Sequence, residues 1–168
     1  MIVCGATPKN RALLRSGARP GDHVYVSGLL GGSALGLSGA KRRARKRHLR
    51  PEPRLTLGKF LRDHVRAHAA MDISDGLSLD LRRMCLASGV SAEIEPPPVF
   101  PGATLEQALH GGEDYELLFT VGPRIHPPDD FEGLPLTRIG SITSRRPGSV
   151  LLNGKPLAPF GFDHFQNS

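Results

Sequence analysis

The chain has 168 residues and a mass of 18.1 kDa, enough for one domain with a core that needs neither disulfides nor a metal. The absence of tryptophan and an aromatic content of 5% argue against a stacking platform for single-stranded nucleic acid. The net charge of +6 is local: Lys41, Arg42, Arg43, Arg45, Lys46, Arg47 and Arg50 carry seven positive charges, one more than the whole surplus, so the rest is near neutral. Such a run reads as a solvated loop or helix face, with a polyanion contact as the alternative. Cys4 and Cys85 belong to no C-x-x-C pair and read as reduced thiols rather than a zinc or redox site. No secretory leader opens the chain, and the uncharged stretch 24–40 holds five glycines and three serines, a poor membrane span. These features predict a cytoplasmic protein with no membrane role.

In chain order, residues 1–5 read as the end of an extended apolar segment, and 8–17 as a polar turn region. Arg19-Pro20-Gly21-Asp22 is a turn signature, because proline presets φ at one corner and glycine frees the next. Residues 23–27 alternate as a strand. Gly28-Leu29-Leu30-Gly31-Gly32-Ser33 predicts a turn into a short helix over 34–37; it is either a phosphate cradle or a close-packed corner, and it matches neither GK[ST] nor GxGxxG. The spacing of Leu57, Phe60, Leu61 and Val65 predicts a helix over 55–68. That helix would place His64 and His68 four apart, as a possible metal pair or a solvated face. A short strand over 69–73 and a helix over 77–88 follow, with Leu77, Leu81, Met84 and Cys85 on one face and Gly89 at the C-cap. Strands are predicted over 90–94, 115–121, 136–142 and 150–152, with a short helix or turn over 105–110 and a hairpin turn at Asn153-Gly154. In 115–121, Tyr115, Leu117, Phe119 and Val121 would face one way and Glu116, Leu118 and Thr120 the other. The predicted class is mixed α/β, with helices packed on a mixed sheet in a single domain over 1–168.

Two segments hold more polar residues than folding requires. Met71-Asp72-Ile73-Ser74-Asp75-Gly76-Leu77 lies at a strand-to-helix junction. Ser74 or Asp75 would serve as a helix cap, but capping leaves Asp72 unexplained. Two carboxylates and a hydroxyl also suit Mg²⁺, which takes oxygen ligands and usually bridges to phosphate. The second segment, His110-Gly111-Gly112-Glu113-Asp114-Tyr115-Glu116, puts ionisable side chains around a glycine turn that allows close approach to a ligand. An acidic turn that merely starts a strand is the alternative. No arrangement for nucleophilic catalysis is present, and no residue is assigned as catalytic.

Arg15-Ser16-Gly17-Ala18-Arg19-Pro20-Gly21-Asp22, the Asp72-Ile73-Ser74-Asp75-Gly76 element and Gly111-Gly112-Glu113-Asp114-Tyr115-Glu116-Leu117 occur in that order. With the terminal Gly161-Phe162-Asp163-His164-Phe165, they resemble the C-terminal half of the thiamine-monophosphate kinase family over nearly the whole chain. The Asp-x-Ser-Asp-Gly element is shared more widely, with aminoimidazole ribonucleotide synthetase, selenophosphate synthetase and a hydrogenase maturation factor. The resemblance implies the C-terminal domain fold of that superfamily, ATP as co-substrate, Mg²⁺, and phosphorylation of thiamine monophosphate to thiamine diphosphate. It implies Asp72 and Asp75 as metal ligands, Arg15 and Ser74 as ATP contacts, Glu113 as the thiamine contact, and Phe162 packing on that end of the substrate. The family's N-terminal domain, with an acidic Gly-Asp-Asp element and a Gly-Gly-Asp-Thr loop, has no counterpart in this sequence. The resemblance therefore implies a missing N-terminal domain or subunit, inactivity of this chain alone, and a homodimer for the complete enzyme. A non-catalytic nucleotide- or phosphate-binding module and a basic nucleic-acid-binding protein are the alternative functions.

Overall fold

A computed structural model describes residues 6–9, 11–39 and 42–161. Cys4, the segment 1–5 and Phe162 lie outside the described residues. The strands are β1 (His23–Ser27), β2 (Ala69–Asp72), β3 (Ser91–Ile94), β4 (Leu117–Val121), β5 (Asp130–Phe131), β6 (Leu134–Thr143), β7 (Val150–Leu152) and β8 (Lys155–Pro156). The helices are α1 (Gly32–Leu37), α2 (Arg42–Leu49), α3 (Leu55–Phe60) with a π-helical continuation Leu61–Val65, α4 (Leu77–Ser88) and α5 (Leu105–His110). The sheet runs β2-β4-β1-β6-β3-β7-β8, with β5 paired to β6 off that row. Its pairings are antiparallel except β3 with β7, so the sheet is mixed, as expected.

Alternation along β1 and β4 divides the apolar residues between two faces. Val24, Val26 and Leu118 join Leu77, Leu81, Met84 and Cys85 of α4 in one core. Tyr25, Phe119 and Val121 join Leu57, Leu61 and Val65 in a second core on the other face. Tyr25 and Phe119 are cross-strand partners with stacked rings 5.4 Å apart. Helix α4 spans the predicted residues and ends at Gly89, whose φ of 68° is the left-handed cap.

Three expectations need correction. The helix predicted over 55–68 stops at Val65, where Arg66 turns left-handed at φ 56° and the Ala67 N–H closes on Leu61 O at 3.0 Å. His64 and His68 therefore share no helix: His64 stacks on Phe60, while His68 Nδ1 lies 2.9 Å from the buried Asp22 carboxylate. The strand predicted from Tyr115 begins at Leu117, because Glu113 and Tyr115 take φ values of 64° and 51°, outside extended geometry. The helix after the Asp72–Asp75 segment is not capped by Ser74 or Asp75. Gly76 is the N-cap without a side-chain bond, and Asp80 reaches back from the first turn to accept from Ser74 N at 3.0 Å and Asp75 N at 2.9 Å.

Residues 42–49 of the basic run form α2, and the inner face of this helix is used by the fold. Glu116 is fully buried; its carboxylate accepts from Ser27 Oγ, from the Arg47 guanidinium, and from Arg54 Nη2 at 2.7 Å and Nε at 3.0 Å. This ties β1, α2 and the segment before α3 to the entry of β4. A Cβ at Gly28, which has φ 62°, would collide with that carboxylate. Arg43 lies over the Phe100 ring at 5.6 Å, and Arg42, Arg45, Lys46 and Arg50 are exposed.

Breaking a buried ion pair by removing one partner leaves charge without compensation. Glu116→Gln is expected to lower unfolding free energy by about 3 kcal/mol in urea titration; a loss indistinguishable from zero would show that the arginines find equivalent partners. Burial pushes the Cys85 thiol up to about 12. In a folded sample at pH 8, peptide mass spectrometry after alkylation should find Cys85 unmodified, and denaturant should expose it.

Candidate functional site

The two polar segments are interlocked through their backbones. Glu113 N donates to Ser74 O at 2.7 Å, Tyr115 N to Ile73 O at 2.9 Å, and Ile73 N to Glu116 O at 2.8 Å. These bonds hold Glu113 and Tyr115 in their left-handed conformations, which cost on the order of 1 kcal/mol each for a residue with a Cβ. Gly112 makes the crossing possible, because a Cβ there would stand 2.7 Å from Ser74 O. The crossing opens onto a cavity of about 840 Å³ lined by Ser74, Asp75, His110, Glu113 and Tyr115, with Ala34 and Leu37 of α1 as its apolar side.

Each acid at this crossing has its own environment. Glu113 is half-exposed, and its Oε2 lies 3.3 Å from His48 Nδ1, which is also 2.9 Å from Ser33 Oγ. Asp114 is buried and accepts from Gly31 N at 2.6 Å and Ser33 N at 3.0 Å, at the start of α1. The glycine-rich turn therefore holds an internal carboxylate at those N–H groups, which favours the reading of a close-packed corner. Burial raises the Asp114 carboxyl above the ordinary aspartate range, and the two N–H donors and Arg47 offset this only in part. Asp80 is raised chiefly by burial too, against the pull of the Asp75 N–H and the Arg83 guanidinium. Arg83 pairs with Asp75 and, at 3.0 Å, with Asp80. The Tyr115 hydroxyl is raised first by burial and then by the charges of Glu113, Asp72 and Asp75, so it stays protonated beside three carboxylates.

Ser74, Asp75 and Glu113 are thus brought to one cavity. Asp72 ends β2 exposed, close enough for its charge to act on Tyr115 but not among the lining residues. Arg15 is not brought there: its carbonyl accepts from Ser88 Oγ at 3.4 Å, at the far end of α4. Asp72 and Asp75 offer the hard oxygen donors that Mg²⁺ prefers, and that ion is commonly held by one or two carboxylates with phosphate and water. The pair fits such partial ligation. It forms no complete protein cage, since among the described residues no three His, Cys, Asp or Glu side chains gather around one point. Arg83 engages Asp75 through Oδ2, which leaves the Oδ1 oxygen to an ion.

Sequence reasoning missed His48, Asp80 and the arginines on Glu116. Arg47 meets Glu116 across 69 positions and Arg54 across 62, separations that no local motif reports. His110 and Tyr115 were visible in the polar segment, but nothing in their spacing assigned them a role.

Asp114 supplies a pH test. A carboxyl with a raised native value favours folding most below its unfolded value, near 3.9, and loses that contribution as pH rises through the native value. The stability difference between wild type and Asp114→Asn should therefore move against wild type from pH 4 to pH 7. A difference that stays flat in paired urea titrations would refute the raised value.

Residues 19–152 match the family described as AIR synthase related protein, C-terminal domain. The thiamine-monophosphate kinase of Escherichia coli O157:H7 is 40% identical over 191 aligned positions, covering 97% of this chain and 58% of the relative. That of Rhodopirellula baltica is 44% identical over 147 positions, covering 79% and 43%. A solved structure of AaThiL complexed with AMPPCP and TMP superposes with a TM-score of 0.80 at 36% identity, covering 91% of this chain and 54% of that one. The chain spans about half the length of the relatives it matches. No helix among the described residues is long and apolar enough to cross a membrane. The chain belongs to the AIR synthase related family through its C-terminal domain, and in sequence and fold it resembles the C-terminal half of the thiamine-monophosphate kinases.

Proposed function

We propose that this chain is the C-terminal domain of a cytoplasmic, homodimeric thiamine-monophosphate kinase, which moves the γ-phosphoryl group of ATP to thiamine monophosphate and releases thiamine diphosphate and ADP. The observation that carries this reading is the crossing of the two polar segments at one cavity, in a chain 40% identical to such a kinase. In this reading Glu113 and the apolar wall of Ala34 and Leu37 hold the thiamine end. The positive thiazolium ring favours a carboxylate partner that is half-exposed and oriented by His48.

Ser74 faces the same cavity and would contact ATP; Arg15 would reach the nucleotide from the other end of α4. Asp72 and Asp75 would hold Mg²⁺, which neutralises phosphate charge when bound. Asp80 keeps the Ser74–Asp75 turn in place by accepting its two N–H groups. Phosphoryl transfer of this kind needs positioning and charge neutralisation more than a protein nucleophile. Phe162 would pack on the thiamine end. The further metal ligands and the rest of the nucleotide site would come from an N-terminal domain or subunit, so this chain alone would be inactive.

Calorimetric titration of the purified chain with thiamine monophosphate should show binding, weakened at least tenfold by Glu113→Gln with the melting temperature little changed. The chain alone, given ATP and Mg²⁺, should form no thiamine diphosphate. Lack of binding would refute the substrate assignment. Turnover that disappears on Asp72→Asn would refute the need for a partner.

A further inference from the structure

Helix α5 is fixed at its start by a reciprocal cap. Gln107 N donates to Thr104 Oγ1 at 3.1 Å, and Thr104 N donates to Gln107 Oε1 at 2.9 Å. It ends at His110, a residue that lines the cavity beside Glu113 and Tyr115. His110 Nδ1 lies 2.8 Å from Ser78 Oγ, and the same oxygen lies 2.7 Å from the carbonyl of Phe160.

The proton inventory settles the direction of these bonds. A carbonyl can only accept, so the single hydroxyl proton of Ser78 goes to Phe160 O. Ser78 Oγ must then accept from His110, which places a proton on Nδ1. Ser78 is buried on α4, and the Phe160 ring meets the imidazole edge-on at 5.4 Å, so the ring is held on two sides. In the neutral imidazole the lone pair is consequently on Nε2, on the side of the ring away from Ser78. The hydrogen bonds of the described residues engage Nδ1 alone.

We propose that His110 is a specificity-determining residue of this cavity, with Nε2 accepting a hydrogen bond from an amino group on the ligand's ring. The inference rests on the function proposed above; for thiamine monophosphate that donor is the exocyclic amino group of its aminopyrimidine. An analogue with a 4-oxo group at that position would turn a lone pair toward Nε2 and bind more weakly, because the hydrogen bond is lost. Glu113, Tyr115 and Asp75 share the cavity, but none of them is tied to α4 through Ser78.

The test uses the whole chain with ¹⁵N-labelled histidine, the His110 signals being identified by their loss in His110→Phe. Long-range ¹H–¹⁵N spectra at pH 8 should show a protonated Nδ1 and an unprotonated Nε2. Thiamine monophosphate should move the Nε2 resonance, and the 4-oxo analogue should not. Calorimetry should show thiamine monophosphate preferred over the analogue by about tenfold, the worth of one hydrogen bond, and His110→Phe should bring that ratio near one. Ser78→Ala, which frees the ring, should mix the two tautomers and reduce the preference. A protonated Nε2 in the wild type, or a preference that survives His110→Phe, overturns the assignment of His110 while leaving the kinase reading intact. A wild-type chain that binds neither compound overturns the kinase reading and this inference with it.

Discussion

The Glu116 carboxylate is the point on which the arrangement turns. It has no access to water and is shared by Ser27 of β1, Arg47 of α2 and Arg54 just before α3. Without those partners a charge so placed would cost several kcal/mol, so the four segments have to arrive together. The neighbours of Glu116 in sequence inherit their positions from it. Asp114, two residues earlier, reaches the start of α1, and Glu113 reaches the next residue of α2, His48. One face of a strongly basic helix thereby sets the geometry of an acidic turn, and the charges that dominate the composition are largely explained by this pairing and by solvent.

The site also carries structural costs that a purely stable fold would avoid. Glu113 and Tyr115 are left-handed on either side of the buried Asp114, and a second buried aspartate, Asp80, supports the opposite turn. Burial works against ionisation of both aspartates. Concentrated strain and buried charge of this kind collect where a structure presents groups to a ligand, and here they collect around one cavity.

Much of the fold was legible because it obeys local rules. Helix α4 declares itself through Leu77, Leu81, Met84 and Cys85 and stops at Gly89; β4 declares its two faces through Leu118 against Phe119 and Val121. Thr104 and Gln107 carried a capping signature that would have separated helix from turn over 105–110. The misses have non-local causes. Periodicity sees the apolar stripe of 55–68 but not the left-handed Arg66 that ends it. The late start of β4 is imposed by bonds to Ile73 and Ser74, some forty residues upstream. In the site, Ser74, Asp75 and Glu113 were recognisable as members of motifs, whereas Asp80 was hidden because it supports the turn from inside the helix.

The backbone bond from Glu113 to Ser74 makes the two turns one mechanical unit. A displacement of either turn is therefore passed to the other through the backbone, so Ser74 and Asp75 do not shift independently of Glu113 and Tyr115. Substitutions made on the two sides of this bond share one contact, and their effects on stability would not simply add.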